Sequence, residues 1–95
     1  MIKSFAHKGL EKFFCDGSTA GIQPKHESKL EQILDRLDAA TNHQDMNLPG
    51  LRLHKHTGQK KNERQKYSVD VNGNWRVTFE FEGTDAHVVD YTDPH

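Results

Sequence analysis

A chain of 95 residues with 33% hydrophobic content and a formal net charge of −1 has room for one small domain, residues 1–95, with a modest core and a very polar surface. Its single cysteine, Cys15, excludes an internal disulfide and fits a reducing compartment. The opening MIKSFAHKGL has no apolar segment of signal-peptide type, and no apolar run approaches the ~20 residues of a membrane helix, so a soluble cytoplasmic protein is expected.

In chain order, MIKSF reads as a short first strand. HKGLEKFFCDG places Leu10, Phe13 and Phe14 at helical spacing, with Gly17 as the C-cap. Leu30, Ile33, Leu34, Leu37 and Ala40 then follow the i, i+3, i+4, i+7 pattern of a helix lying on a core. Either Pro24 or a capping box of Ser28 with Glu31 starts that helix. After TNHQDMNLPG the pattern changes to strands. LRLHKH alternates Leu51 and Leu53 with Arg52, His54 and His56; GQKKNER is a polar loop; YSVDV, WRVTFEF and HVVDY complete the sheet. Around NGN, a three-residue loop pairs Val71 with Trp75, Val69 with Val77 and Tyr67 with Phe79. All the large apolar residues then share one face, and Arg76, Thr78 and Glu80 point to a solvated one. The expected fold is α+β: two N-terminal helices packed on one face of a small antiparallel sheet.

The net charge conceals an asymmetry. From Leu51 to Arg76 there are seven basic residues (Arg52, Lys55, Lys60, Lys61, Arg64, Lys66 and Arg76) against Glu63 and Asp70, a local charge of +5 that leaves −6 for the remainder. Clustered cations of this kind suit a polyanion, although a solvated lysine-rich loop has the same composition.

Three features can meet on the polar face: His54 and His56, Arg76, and the terminal Asp93 and His95. Metal-free RNA cleavage needs a base for the ribose 2′-OH, an acid for the leaving 5′-oxygen and a fixed cation on the phosphate. Histidine can fill either proton role near neutrality. The blander readings are that Arg76 pairs with Asp70 across the strands, that the histidines are ordinary surface residues and that Trp75 belongs to the core. Tyr91 fits either packing at the strand edge or stacking on a base. A metal site from His54, His56, Asp93 and His95 is a further alternative, unsupported by any cysteine or HExxH motif.

NLPGLRLHKHTG, YSVDVNGNWRVTFEF and DAHVVDYTDPH, together with MIKSFAHKGL, resemble the HigB branch of the RelE toxin superfamily almost from end to end. That resemblance implies a microbial-ribonuclease-like fold and ribosome-dependent cleavage of mRNA in the A site, without a cofactor. It also implies contact with ribosomal RNA, neutralisation by a HigA-like helix-turn-helix antitoxin, and operator DNA reached only through that antitoxin. His54, Arg76, Asp93 and His95 align with the family's active-site positions. Arg52, Lys55, His56, Lys60, Lys61, Arg64, Lys66 and Tyr91 are the expected RNA- and ribosome-binding residues. Two positions depart from the family pattern. Pro94 stands where a tyrosine is common, and Thr57 where lysine often precedes the glycine. The rival expectation is a degenerate toxin that only binds its antitoxin and operator.

Overall fold

The computed structural model describes residues 1–56 and 64–93. Helix α1 spans Lys8–Asp16. His7 caps its start by accepting the Leu10 N–H on Nδ1 at 3.0 Å, and Gly17 ends it as expected, left-handed at φ 77° with its N–H donated to the Phe13 carbonyl. Helix α2 spans Glu27–Ala39 and is entered through a 3-10 turn, Pro24–His26. Pro24 therefore supplies the start. The Ser28–Glu31 capping box does not form, because both residues already lie inside the helix, and no side chain caps its N-terminus.

The strands are β1 (His54–Lys55), β2 (Gln65–Asn72), β3 (Trp75–Glu82) and β4 (Asp85–Thr92). They form an antiparallel sheet in the order β1-β2-β3-β4. MIKSF contributes two parallel bridges to the outer edge of β4, Ile2 to Ala86 and Phe5 to Val89, and the Ile2 N–H is held by Asp38 Oδ1 from the end of α2. The two helices and one face of the sheet share a single core. Leu10, Leu30, Ile33, Leu34, Leu37, Val69, Val77, Phe79 and Val89 are completely buried there. Removing any one of the leucines costs on the order of 2–5 kcal/mol. The first turn of α1 and the following loop touch backbone to backbone: a Cβ on Gly21 would lie 2.5 Å from Gly9 Cα.

Two expectations need correction. Tyr67–Phe79 and Val69–Val77 pair as expected, but Trp75 pairs with Asn72 and Val71 is bulged, leaving Gly73 and Asn74 as the turn. LRLHKH is not one strand. Arg52 is left-handed at φ 52°, which breaks the alternation, and only His54 and Lys55 join the ladder.

Candidate active site

The register arranges the sheet's outer face in three rows. The middle row is His54, Ser68, Thr78 and Asp90, in strand order. Toward the hairpin between β2 and β3 follows Asp70, Arg76 and Thr92. On the other side stand Lys66, Glu80 and His87, with the His56 N–H bonded to the Lys66 carbonyl at 2.9 Å. Neighbouring strands are about 5 Å apart, so adjacent side chains in a row can reach one phosphodiester unit together. The face is not solvated throughout, as the alternation implied. Ser68 and Thr78 are buried, being short side chains between rows of long ones.

Asp70 is the electrostatic centre. Its Oδ1 lies 3.6 Å from Arg76 Nε and 4.0 Å from His54 Nε2, and its Oδ2 lies 3.7 Å from Arg52 Nε. These are ion-pair distances rather than hydrogen bonds, and Oδ1 is buried with no hydrogen bond among the described residues. The side chain of Asp70 is 20% exposed, against 42% for Arg76 and 44% for His54. One shielded carboxylate thus restrains three groups that remain open to solvent. The cross-strand Arg76–Asp70 pair foreseen from the register exists, and it sits inside the candidate site.

His56 is half-buried beside this group. Burial pushes its imidazole below the ordinary histidine value, and the charges of Lys66, Arg76 and His54 push it the same way. It is therefore neutral at pH 7 and able to accept a proton or a hydrogen bond. Arg64 is paired with Glu80 at 3.0 Å at the lower edge of the face. Gln65 donates to the carbonyls of His56 and Lys66, fastening β1 to β2.

Asp93 directly follows Thr92, the partner of Arg76, and is half-buried. The structure thus brings His54, Arg76 and the beginning of the tail together toward the hairpin end of one face, with His56 and Lys66 in the row on the opposite side of His54. His95, Lys60 and Lys61 lie outside the described residues. Two of the expected RNA contacts do not belong to this face. Lys55 pairs with Tyr67 and turns to the other side, where it lines a cavity of about 230 Å³ with His43, Gln44, Asn47 and Leu53. Tyr91 is 3% exposed and packs toward the helices, so its ring is unavailable to a base. The alternation Val89-x-Tyr91 could have revealed this. Asp70 and the buried Ser68 are the residues that sequence reasoning undervalued. Among the described residues, no three His, Cys, Asp or Glu side chains are grouped as metal ligands, and no helix is long and apolar enough to cross a membrane.

A family model described as "RelE-like toxin of type II toxin-antitoxin system HigB" matches residues 3–95. Endoribonuclease HigB of Proteus vulgaris is 38% identical over 96 residues, with the whole of both chains covered. An α+β fold with this sheet order, a basic face built on β1 to β3 and a full-length match lead to one conclusion. The chain belongs to the RelE-like toxins of the HigB type II toxin–antitoxin system.

Proposed function

We propose that this protein halts translation by cutting mRNA on the ribosome, through general acid–base catalysis that needs no metal. Family membership and a full-length relative named for the activity make it a type II toxin with endoribonuclease activity. The finer reading is carried by one observation: His54, Arg76 and the start of the tail share one end of one polar face.

In this reading Arg76 stabilises the charge that accumulates on the scissile phosphate. His54, Asp93 and His95 provide the proton transfers at the 2′-hydroxyl and the leaving 5′-oxygen. Arg52, His56, Arg64 and Lys66 hold phosphates of mRNA and ribosomal RNA, with Lys60 and Lys61 extending the basic stretch; such contacts fix position rather than sequence. The protein works in the cytoplasm. A HigA-like helix-turn-helix antitoxin neutralises it and mediates any contact with operator DNA.

Cleavage on ribosomes programmed with a defined mRNA tests this reading. Removing a group that stabilises transition-state charge costs on the order of 10²–10³ in rate, so Arg76→Ala should nearly silence cleavage. Arg76→Lys should recover only part of it, because lysine keeps the charge and loses the planar two-pronged donor. Deleting residues 93–95 should abolish cleavage and growth arrest while the melting temperature stays nearly constant. If Arg76 were only half of a surface pair, Arg76→Ala would cost roughly 0–1 kcal/mol of stability and cleave at the normal rate. That result, or full toxicity of the truncated chain, would overturn the proposal.

A further inference from the structure

Behind Arg76, on the helix side of the sheet, lies a buried polar pair that the cleavage chemistry does not use. Tyr91 stands opposite Val77 on β4, its ring stacked on Trp75 at 4.6 Å and edge-on to His7 at 5.5 Å. His26, 1% exposed, places Nδ1 at 2.6 Å from the Tyr91 hydroxyl. The Gln23 backbone N–H donates to the same oxygen at 3.4 Å, and the His26 tautomer sets which of the two side chains donates across the short contact. Nε2 has no hydrogen-bond partner among the described residues, and the ring meets Trp75 edge-on at 5.7 Å.

Cohesion alone does not explain this arrangement. His26 is one helical turn before Leu30, at a position where an aliphatic side chain would extend the α2 stripe without a desolvation cost. The polar pair gains direction instead: a short hydrogen bond fixes the distance and angle between α2 and β4, which apolar contact leaves loose.

The place where it acts matters. The N-terminal segment braces the outer edge of β4 only as far as Val89, through the Ala6 N–H at 2.8 Å. Beyond that point, among the described residues, the strand is laddered on one side only, and the ladder's last pair is Arg76–Thr92. Tyr91 immediately precedes Thr92 and stands two residues before Asp93. Strand ends fray unless something ties them down.

We propose that the His26–Tyr91 hydrogen bond is a positioning device for the reaction, setting the exit of β4 so that the tail departs at Asp93 beside Arg76. The inference rests on the reading of the tail as catalytic. His26 and Tyr91 are positioning residues, since neither touches the substrate.

The test is cleavage by the full-length chain on programmed ribosomes, with kcat, KM, ribosome binding and melting temperature measured for each variant. Tyr91→Phe keeps the ring and its stacking and deletes only the hydroxyl. It should lower kcat about tenfold to a hundredfold, the scale of a small misplacement of reacting groups, with KM and ribosome binding unchanged. His26→Ala should match it, and adding Tyr91→Phe to His26→Ala should bring no further loss. His26→Asn, whose Oδ1 can accept the tyrosine proton near the Nδ1 position, should restore most of the rate. If His26→Ala does not fold, Tyr91→Phe and His26→Asn decide the matter. A wild-type kcat in Tyr91→Phe would overturn the inference, as would a loss fully accounted for by unfolded protein. Asp93→Asn and His95→Ala separate the two levels. If both cleave normally, the reading of the tail fails and this inference with it. If both are inactive while Tyr91→Phe is fully active, only this inference fails.

Discussion

At the residue scale, Asp70 shows how one carboxylate can serve a cationic site. An RNA-cleaving face must gather positive charge, and gathered cations repel one another and drift apart. Asp70, shielded on β2, offers Arg76 and Arg52 a common counter-charge and stands beside His54 while leaving their outer atoms exposed. Asp70→Asn keeps the shape and removes the charge. The freed cations should bind ribosomes at least as tightly, with a steeper dependence on salt. Arg76 should lose its fixed direction and kcat should fall about tenfold. Measuring binding and single-turnover cleavage in parallel checks this, because a purely structural aspartate would lower both through loss of folded protein. The Asp70–Arg76 pairing was legible in the hairpin register. The convergence of Arg52 and His54 on the same carboxylate was not, because it depends on a left-handed arginine that no residue pattern announces.

At the scale of elements, periodicity read α2 and the body of the β2–β3 ladder correctly but not its turn, because one buried face forces the register wherever large apolar residues alternate. The same logic, applied one turn earlier, would have put His26 on the α2 stripe, and applied to β4 it would have put Tyr91 in the core. Bulges escaped it. In β4 the ladder slips between Thr78 and Glu80, so that His87 rather than Val88 stands opposite Glu80. Val88 adopts φ 51°, a left-handed conformation that is costly for a β-branched residue. Ser4 holds it there, accepting the Val88 N–H on its hydroxyl at 2.8 Å. The Val88 side chain is 39% exposed, so little burial is lost on replacement, whereas asparagine tolerates the left-handed region. Val88→Asn should raise stability by about 1 kcal/mol, seen as a higher urea midpoint with an unchanged slope, and should cleave normally. A lower midpoint would mean that the packing of Val88 outweighs its backbone strain.

Across the whole molecule, the charged face and the helix-covered face share a sensitivity to mild acid. Burial lowers the His26 pKa below 6.5, with Lys25 adding to the effect, and His56 is lowered from the same value. A group whose folded pKa is depressed takes up its proton more readily in the unfolded chain. Stability is therefore complete above pH about 6.5 and is lost as the pH falls through the two depressed values. Asp45, held below 3.8 chiefly by the backbone N–H of Thr41, contributes in a lower window, lost only as the pH falls from 3.8 downward. Unfolding midpoints should thus decline as the pH falls below 6.5, the ordinary value from which both histidines are lowered. His26→Asn should flatten that decline and His56→Gln should reduce it less. A flat profile in the wild type would refute the assignment. No titration of this kind could be read from the order of residues, since it depends on which histidines the fold encloses.

The bridges from Ile2 and Phe5 to Ala86 and Val89 join the segment before α1 to β4, two stretches far apart along the chain. Contacts so distant along the chain form slowly, because a long loop must close before they stabilise anything. The outer edge of β4, the strand that carries Tyr91, is therefore among the last parts of the sheet to close in folding.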